Sequence, residues 1–413
     1  MSTDFWLRRM ALCFGLIVAV GGMIDNVQSS EAPILKELST EPSEEAAALR
    51  GGPQHSSTPA NKETCKGNIA CYYEKLEGLV KTKGTAHALQ FIEEVVLTDR
   101  TALSDAHNLT HHVGRVSYHH LQDVTAVMFQ CTPAHQSGCY HGALEAYLSN
   151  KSHVQPDDVV AICSPKLEAD KGRFAYFNCF HGLGHGLTMH FNHNMNKALT
   201  LCDTLNTAWD QQSCYGGVFM ENVVTGISGS HQHSAHQGET HASHQAKLID
   251  RKDPLFPCSG IEKKYWRECY MMQTSIILYL TQYDYAKAFQ VCDGAPESMI
   301  PICYQSMGRD ISGHTLREID ESISLCELGK TPHQSRCFVG VVKNFLNVTG
   351  RASEDAFAFC RQVPKRHKQT CHFAIGEEFQ TLFAKPKQRM LACVRSEAKY
   401  IDDCHQGAGL RRD

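Results

Sequence analysis

The sequence lacks the excess of basic residues that proteins binding nucleic acid carry. Its 413 residues include 40 Lys and Arg against 44 Asp and Glu, so the net charge is -4 with histidine neutral. Charged residues make up only 20 % of the chain, and no stretch gathers the positive ones into a stripe. A nucleic-acid-binding surface presents such a stripe to the phosphates. We therefore expect no nucleic-acid partner.

The motifs of several common catalytic classes are also missing. The chain has no Gly-x-Ser-x-Gly elbow, no phosphate-binding loop and no His-Glu-x-x-His. Nothing therefore indicates the hydrolases, nucleotide enzymes or metalloproteases that use these motifs. The glycines around His185 are spaced like those of a nucleotide motif, but no strand is predicted before them.

The longest apolar run is too short for an ordinary membrane span. It extends from Met10 to Ile24 behind Arg8 and Arg9, whereas a spanning helix needs about 20 residues. Residues 1–24 are therefore predicted to be either a signal peptide, cleaved near Gly21, or an uncleaved signal anchor. Both direct the chain into the secretory pathway. The anchor would also attach it to a membrane, with the C-terminal part lumenal or extracellular.

Residues 25–63 are rich in Ser, Glu, Ala and Pro without hydrophobic periodicity, which predicts a flexible stalk. Asn-x-Ser/Thr sequons further along the chain fit a secretory route. We predict glycans at Asn150 and Asn347, each in a turn between two predicted helices. We predict none at Asn108, which lies between two candidate metal ligands.

Cysteine is abundant, and its spacing is regular. Outside the leader, 18 cysteines form two sets. The earlier set is Cys65, Cys131, Cys163, Cys202, Cys258, Cys292, Cys326, Cys360 and Cys393. The later set is Cys71, Cys139, Cys179, Cys214, Cys269, Cys303, Cys337, Cys371 and Cys404. From Cys269 onward the later set advances in steps of 34, 34, 34 and 33. Regular pairs in a secretory chain predict disulfides rather than metal thiolates, although spacing leaves their connectivity open.

A period near 34 residues is typical of stacked helix pairs. Apolar segments such as "CYHGALEAYL" and "CFVGVVKNFL" follow the later cysteines and predict a helix A in each unit. Amphipathic segments such as "AFQVC" end at the earlier cysteines and predict a helix B. Thr315 with Glu318 matches a capping box for one helix B. The predicted fold is all-α, a right-handed α-solenoid of about nine 34-residue helix pairs pinned by disulfides.

The period resembles that of tetratricopeptide-like repeats over roughly residues 64–407. The tryptophan, tyrosine and proline positions of that family are not in register here, so the resemblance implies only the helix-pair architecture. The predicted organisation is N-terminal helical repeats at 64–230, a histidine-rich loop insertion at 231–250, C-terminal repeats at 251–407 and a tail at 408–413. The loop is predicted to be a flexible surface segment that collects or delivers metal, responds to pH or is simply solvated.

Histidine is the second abundant ligand type, with 24 residues. Three consecutive units carry His-x-x-x-His, His-x-x-x-Glu and His-x-x-x-His. In each unit the two side chains stand two and six residues after a reference residue. This residue is Asp105 in the first unit and the later cysteine, Cys139 or Cys179, in the next two. Residues four apart face one side of a helix, and neighbouring helices pack about 8–10 Å apart. The predicted metal ligands are therefore His107, His111, His141, Glu145, His181 and His185.

Such a ligand set suits iron, copper or zinc, in one crowded site or two adjacent ones. The later units lose the pattern, which places the predicted site in the N-terminal half. Glu221 is a further candidate, as a ligand or a catalytic general base. Glycines beside the histidines, among them Gly142 and Gly184, would let the helix backbones approach closely.

The sequence thus predicts a secretory-pathway metalloprotein. The favoured function is a metal-dependent oxidoreductase that uses iron or copper, ahead of a zinc hydrolase. The arrangement is similar in principle to deoxyhypusine hydroxylase, a helical-repeat protein that holds iron between histidine and glutamate side chains. Its motifs are adjacent His-Glu pairs, so the likeness implies no common substrate. The alternatives are a solenoid that binds a protein or glycan, with structural or pH-sensing histidines, and a metal that serves only stability.

Overall fold

The chain is helical throughout the part that a computed structural model describes, which comprises residues 65–132, 134–163, 165–228, 248–349 and 353–410. Every regular element in these ranges is a helix, and no strand occurs in them. The all-α prediction is therefore confirmed for these residues. The predicted signal segment, the stalk, nearly all of the histidine-rich loop and the end of the tail lie outside the described residues.

Long and short helices alternate along the chain. In chain order they are α1 (Ile69–Lys83), α2 (Thr85–Val95), α3 (Arg100–Ser104), α4 (Ala106–Leu121), α5 (Val124–Gln130), α6 (Ala134–Ser149), α7 (Pro156–Ile162), α8 (Pro165–Lys171), α9 (Arg173–His190), α10 (Met195–Cys202), α11 (Ala208–Ser228), α12 (Trp266–Met272), α13 (Thr274–Leu280), α14 (Tyr285–Asp293), α15 (Ile300–His314), α16 (Ile319–Glu327), α17 (Gln334–Thr349), α18 (Glu354–Gln362), α19 (Lys365–Leu382), α20 (Pro386–Cys393) and α21 (Ile401–Gly407). The predicted A helices correspond to α6, α9, α11, α15, α17 and α19, and the predicted B helices include α10, α14, α16, α18 and α20.

Nine disulfides are present, and each joins an earlier cysteine to the later cysteine that follows it. The pairs are Cys65–Cys71, Cys131–Cys139, Cys163–Cys179, Cys202–Cys214, Cys258–Cys269, Cys292–Cys303, Cys326–Cys337, Cys360–Cys371 and Cys393–Cys404. Most of these bridges connect the end of a short helix to the next long one. Closing such a loop removes conformational freedom from the unfolded chain and stabilises the fold by about 2–4 kcal/mol.

Successive long helices pack directly on one another. Helix α4 contacts α6, α6 contacts α9, and α9 contacts α11. The series continues with α15 on α17, α17 on α19 and α19 on α21. Glycines lie at the crossing points: a Cβ on Gly184 would overlap the carbonyl oxygen of Cys214, and one on Gly217 would overlap that of His181. The backbones of α9 and α11 therefore touch beside the candidate ligands.

Two features depart from the sequence expectations. The capping box predicted at Thr315 and Glu318 is wrong, because Thr315 is the C-cap of α15 and Glu318, the N-cap of α16, makes no side-chain cap bond. Leu316 and Arg317 between them adopt left-handed backbone angles, so a tight turn replaces the predicted helix start. Helix A of the Cys269 unit is also interrupted for one residue, at Gln273 between α12 and α13, although the backbone of Gln273 keeps α-helical angles.

Long helices that are distant in sequence also meet. Helix α6 contacts α17, and α9 contacts α19. Two of the three helices that carry the histidines therefore also touch C-terminal helices. Within the described ranges, no helix combines the length and apolar character that crossing a membrane requires.

Candidate metal centre

Five of the six predicted ligands come together where α4, α6 and α9 cross. Ring nitrogens of His107, His111 and His141 all lie within 4.8 Å of one another, and so do those of His141, His181 and His185. We call these the first and the second triad. The two triads share His141, whose ring centroid lies 5.3 Å from that of His111 and 4.7 Å from that of His185. Such separations allow each triad to surround one ion.

Two of the imidazoles are oriented by an oxygen at Nδ1, and a third has a carboxylate near that atom. Nδ1 of His107 lies 2.8 Å from the carbonyl oxygen of His135. Nδ1 of His111 lies 3.6 Å from Oε2 of Glu145, and Nδ1 of His185 lies 2.9 Å from Oε2 of Glu221. An oxygen at Nδ1 fixes the proton there and leaves the Nε2 lone pair for a metal, the usual arrangement of ligating histidines.

The second triad is buried, and burial disfavours the charged form of three imidazoles of the centre. The exposed fractions of His141, His181 and His185 are 5 %, 7 % and 6 %. Burial lowers the pKa of His107 to about 4, with His111 acting in the same direction. Burial together with His185 lowers the pKa of His181 to about 3, and burial drives that of His141 well below its ordinary value. Neutral imidazole is the form that binds a metal.

Unsatisfied nitrogen atoms mark the same place. Nε2 of His141 and Nε2 of His185 are buried and have no hydrogen-bond partner among the described residues. A buried polar atom without a partner destabilises a fold by about 1–3 kcal/mol. Coordination to an ion would satisfy both atoms. The residues present therefore fit a transition metal bound through imidazole nitrogen.

Glu145, the sixth predicted ligand, is not part of either triad. Its Oε2 accepts a hydrogen bond from Nη1 of Arg115 at 3.0 Å and lies on the Nδ1 side of His111. The physical reason is the guanidinium group, which draws the carboxylate toward the outer side of the ring. Glu145 thus has the position of a residue that orients a ligand.

Glu221 has the same relationship to the second triad. In addition to His185, its carboxylate accepts a hydrogen bond from Oγ1 of Thr225 at 2.9 Å. Burial tends to raise the pKa of Glu221, but His185 and Thr225 outweigh burial, and the net pKa is lowered. The group is an anion that is already engaged at both oxygens.

Met220 is a neighbour of the second triad that sequence reasoning passed over. Its Sδ lies 3.3 Å from Nε2 of His181. The sequence does indicate this position, because Met220 stands six residues after Cys214, just as His185 stands six residues after Cys179 in the preceding unit. A search restricted to histidine and carboxylate excluded it.

A cavity of about 330 Å³ adjoins the second triad. His181, Phe177 and Trp209 form part of its wall, and the rings of Phe177 and His181 stack with centroids 5.4 Å apart. The remaining lining includes Arg267, Glu268, Met271, Met272, Arg309, Lys343, Asn344 and Glu378. The lining combines aromatic and charged side chains, so the space can hold a small organic molecule beside His181.

The sequons lie at accessible positions. Asn150 directly follows α6 and is exposed. Asn347 is also exposed, but it belongs to α17 and lines the cavity, whereas the sequence placed it in a turn. Asn108 is exposed too and donates a hydrogen bond to Oδ1 of Asp105 at 2.6 Å, so it points away from the triads.

Fold and site together define a class: a disulfide-bonded, all-helical protein with buried histidine clusters that could hold metal. The disulfides are compatible with an oxidising secretory or extracellular environment. No protein family, curated protein or solved structure matches this chain.

Proposed function

We propose that this chain is a secretory-pathway metalloprotein that binds one or two transition-metal ions in the two histidine triads. One observation carries the proposal: five imidazoles from three neighbouring helices converge, and the Nε2 atoms of His141 and His185 are buried without a hydrogen-bond partner among the described residues. A purely structural histidine cluster would be expected to satisfy those atoms internally.

The scaffold that we propose is the right-handed α-solenoid of about nine helix pairs expected from the sequence. The packing of each long helix on the next supports this arrangement, as does the regular placing of the disulfides. In such an array, equivalent positions of successive helices line up, which explains why residues 34 to 40 positions apart in sequence share one site.

We further propose that the bound metal is redox-active and that the protein is a metal-dependent oxidoreductase, with a hydrolase as the less favoured alternative. Both triads consist of imidazoles alone, and nitrogen sites bind copper more tightly than the other first-row divalent ions. Such a metal would supply electron transfer or activation of a bound small molecule.

The chain's own residues would have three tasks. Glu145 and Glu221 would hold the rings of His111 and His185 in orientation, as the carboxylates behind metal-bound histidines do. The glycines at the helix crossings would keep the backbones close enough for the triads to form. The cavity beside His181 would admit the substrate and exclude bulk water. Glu221 suits orientation better than general-base catalysis, because its carboxylate is already engaged.

The experiment is metal analysis of the full-length protein, produced in a secretion host that forms disulfides. The purified protein is dialysed, and its metal content is measured by mass spectrometry. We expect one or two equivalents of copper or iron. His141→Gln removes the shared ligand and should abolish most of the binding. The matched control is His119→Gln, which changes an exposed histidine on α4 and should leave the metal content unchanged.

Thermal unfolding of all three proteins checks that the fold is kept. An absence of metal in the parent, even after incubation with copper, iron and zinc salts, would refute the proposal. That result would favour a non-catalytic binding protein with structural or pH-sensing histidines. Equal metal loss in both variants would show that binding is adventitious.

A further inference from the structure

We infer that Met220 is a metal ligand of the second triad and that this triad takes copper(I). The inference rests on the proposed function, since it names the ion and the fourth ligand of a site that the histidines define. It begins from the 3.3 Å contact between Sδ of Met220 and Nε2 of His181.

That distance matches two ligands of one ion. Ligand atoms held at about 2.0–2.3 Å from a tetrahedral centre lie about 3.3–3.6 Å apart. The Sδ atom and the imidazole nitrogen thus already have the separation of neighbouring corners of a coordination tetrahedron. His141 and His185 would supply the other two corners, through nitrogen atoms within 4.8 Å of the His181 ligand atom.

The repeat frame explains why a methionine occurs there. His111, Glu145, His185 and Met220 occupy the same position, six residues after the frame residue of four consecutive units. The first three lie at the metal centre as a ligand, an orienting carboxylate and a ligand. Met220 extends this series onto α11, the helix that packs against α9.

The chemistry of the donor selects the ion. Thioether sulfur is a soft ligand that favours copper(I), whereas zinc and iron(II) prefer imidazole, carboxylate or thiolate. No thiolate ligand is available among the described residues, because all 18 of their cysteines are joined in disulfides. A mixed site of three imidazoles and one thioether is thus softer than the histidine triad alone.

The test is X-ray absorption spectroscopy of the full-length protein loaded anaerobically with one equivalent of copper(I) as its acetonitrile complex, which leaves the disulfides intact. We expect a copper–sulfur distance of about 2.3 Å in the parent. Met220→Leu should lose this signal and bind copper(I) at least about tenfold more weakly, with zinc affinity unchanged.

The matched control is Met272→Leu. Met272 lines the adjoining cavity, but its sulfur accepts a hydrogen bond from Nη1 of Arg309 at 2.7 Å. This variant should keep the copper–sulfur signal.

Selenomethionine labelling of the unmutated chain tests the same ligand without a substitution, since a copper–selenium distance should then appear. Copper uptake without any sulfur or selenium signal would overturn this inference and leave the histidine site intact. A copper–sulfur signal that persists in Met220→Leu would also overturn this inference. A parent that takes up no metal would refute the proposed function itself, so the two failures are distinguishable. In that case the Met220 contact is only an N–H···S hydrogen bond.

Discussion

Gly142 of α6 lies directly against the carbonyl oxygen of His111 on α4. A Cβ atom at Gly142 would overlap that oxygen and crowd the backbone carbon behind it. One close approach of the two helices thus falls one residue from His141 and on His111 itself. The candidate metal centre depends on this contact, because a wider helix spacing would separate the two halves of the first triad.

We predict that Gly142→Ala destabilises the protein by about 1–3 kcal/mol, since the methyl group forces two packed backbones apart. Metal content should fall with it, because His111 and His141 move apart. Urea unfolding and metal analysis measure the two effects. The matched control is Gly78→Ala in α1, where no atom lies within 4 Å of the added Cβ. That change should stabilise the protein by about 0.5–1 kcal/mol through helix propensity. Equal effects of the two changes would contradict the close-packing argument.

Glu221→Gln should weaken metal binding by about ten- to a hundredfold while leaving the fold intact. The amide keeps the size of the carboxylate but loses the charge that holds the Nδ1 proton of His185. Competition with a chromophoric chelator measures the affinity. Glu145→Gln is the internal comparison: its carboxylate is shared with Arg115 and lies farther from its histidine, so we expect a smaller loss. A larger loss for Glu145→Gln would mean that Glu145 binds the metal directly.

Much of this candidate centre could be predicted from the sequence, because side chains one repeat apart along the chain lie next to each other on neighbouring helices. Counting from Cys139 and Cys179 predicts that His141 and His185 lie on neighbouring helices, as they do. The same counting also leads to Met220. It predicts an N-cap at Glu318 as well, because Asn194 and Asp284 stand at the equivalent position of their units and cap their helices. The capping-box prediction is wrong because it depends on a local motif outside the frame.

Other features were beyond the reach of the sequence. The position of Glu145 depends on Arg115, whose pull on the carboxylate is a matter of side-chain geometry. The side-chain amide of Gln273 donates hydrogen bonds to the carbonyl groups of Pro254 and Phe256 at 2.8 and 2.7 Å, contacts that hold the preceding loop against the helix. Both are tertiary interactions, and neither leaves a periodic signal along the chain.

Removal of the Cys326–Cys337 bridge by two alanine substitutions should destabilise the protein by about 2–4 kcal/mol and leave metal binding unchanged. Both cysteines belong to the C-terminal part of the buried core. The matched pair is Cys131→Ala with Cys139→Ala, because Cys139 lies two residues before His141 on α6. That variant should lose a similar amount of stability and also bind metal more weakly. A metal loss common to both would indicate a general loosening of the fold.

Acidification should destabilise the metal-free protein, and the buried histidines set the pH range. Burial lowers the pKa of His107 to about 4 and that of His181 to about 3 in the folded chain, whereas both return to about 6.5 on unfolding. Below pH 6.5 the unfolded chain therefore binds more protons than the folded one. The free energy of unfolding falls as the pH drops toward 4, by up to about 1.4 kcal/mol per pH unit for each group. Urea unfolding of chelator-treated protein at pH 7 and pH 5 measures the slope. The double variant His107→Gln with His181→Gln should show a flatter dependence, and an identical slope would place the acid sensitivity elsewhere in the protein.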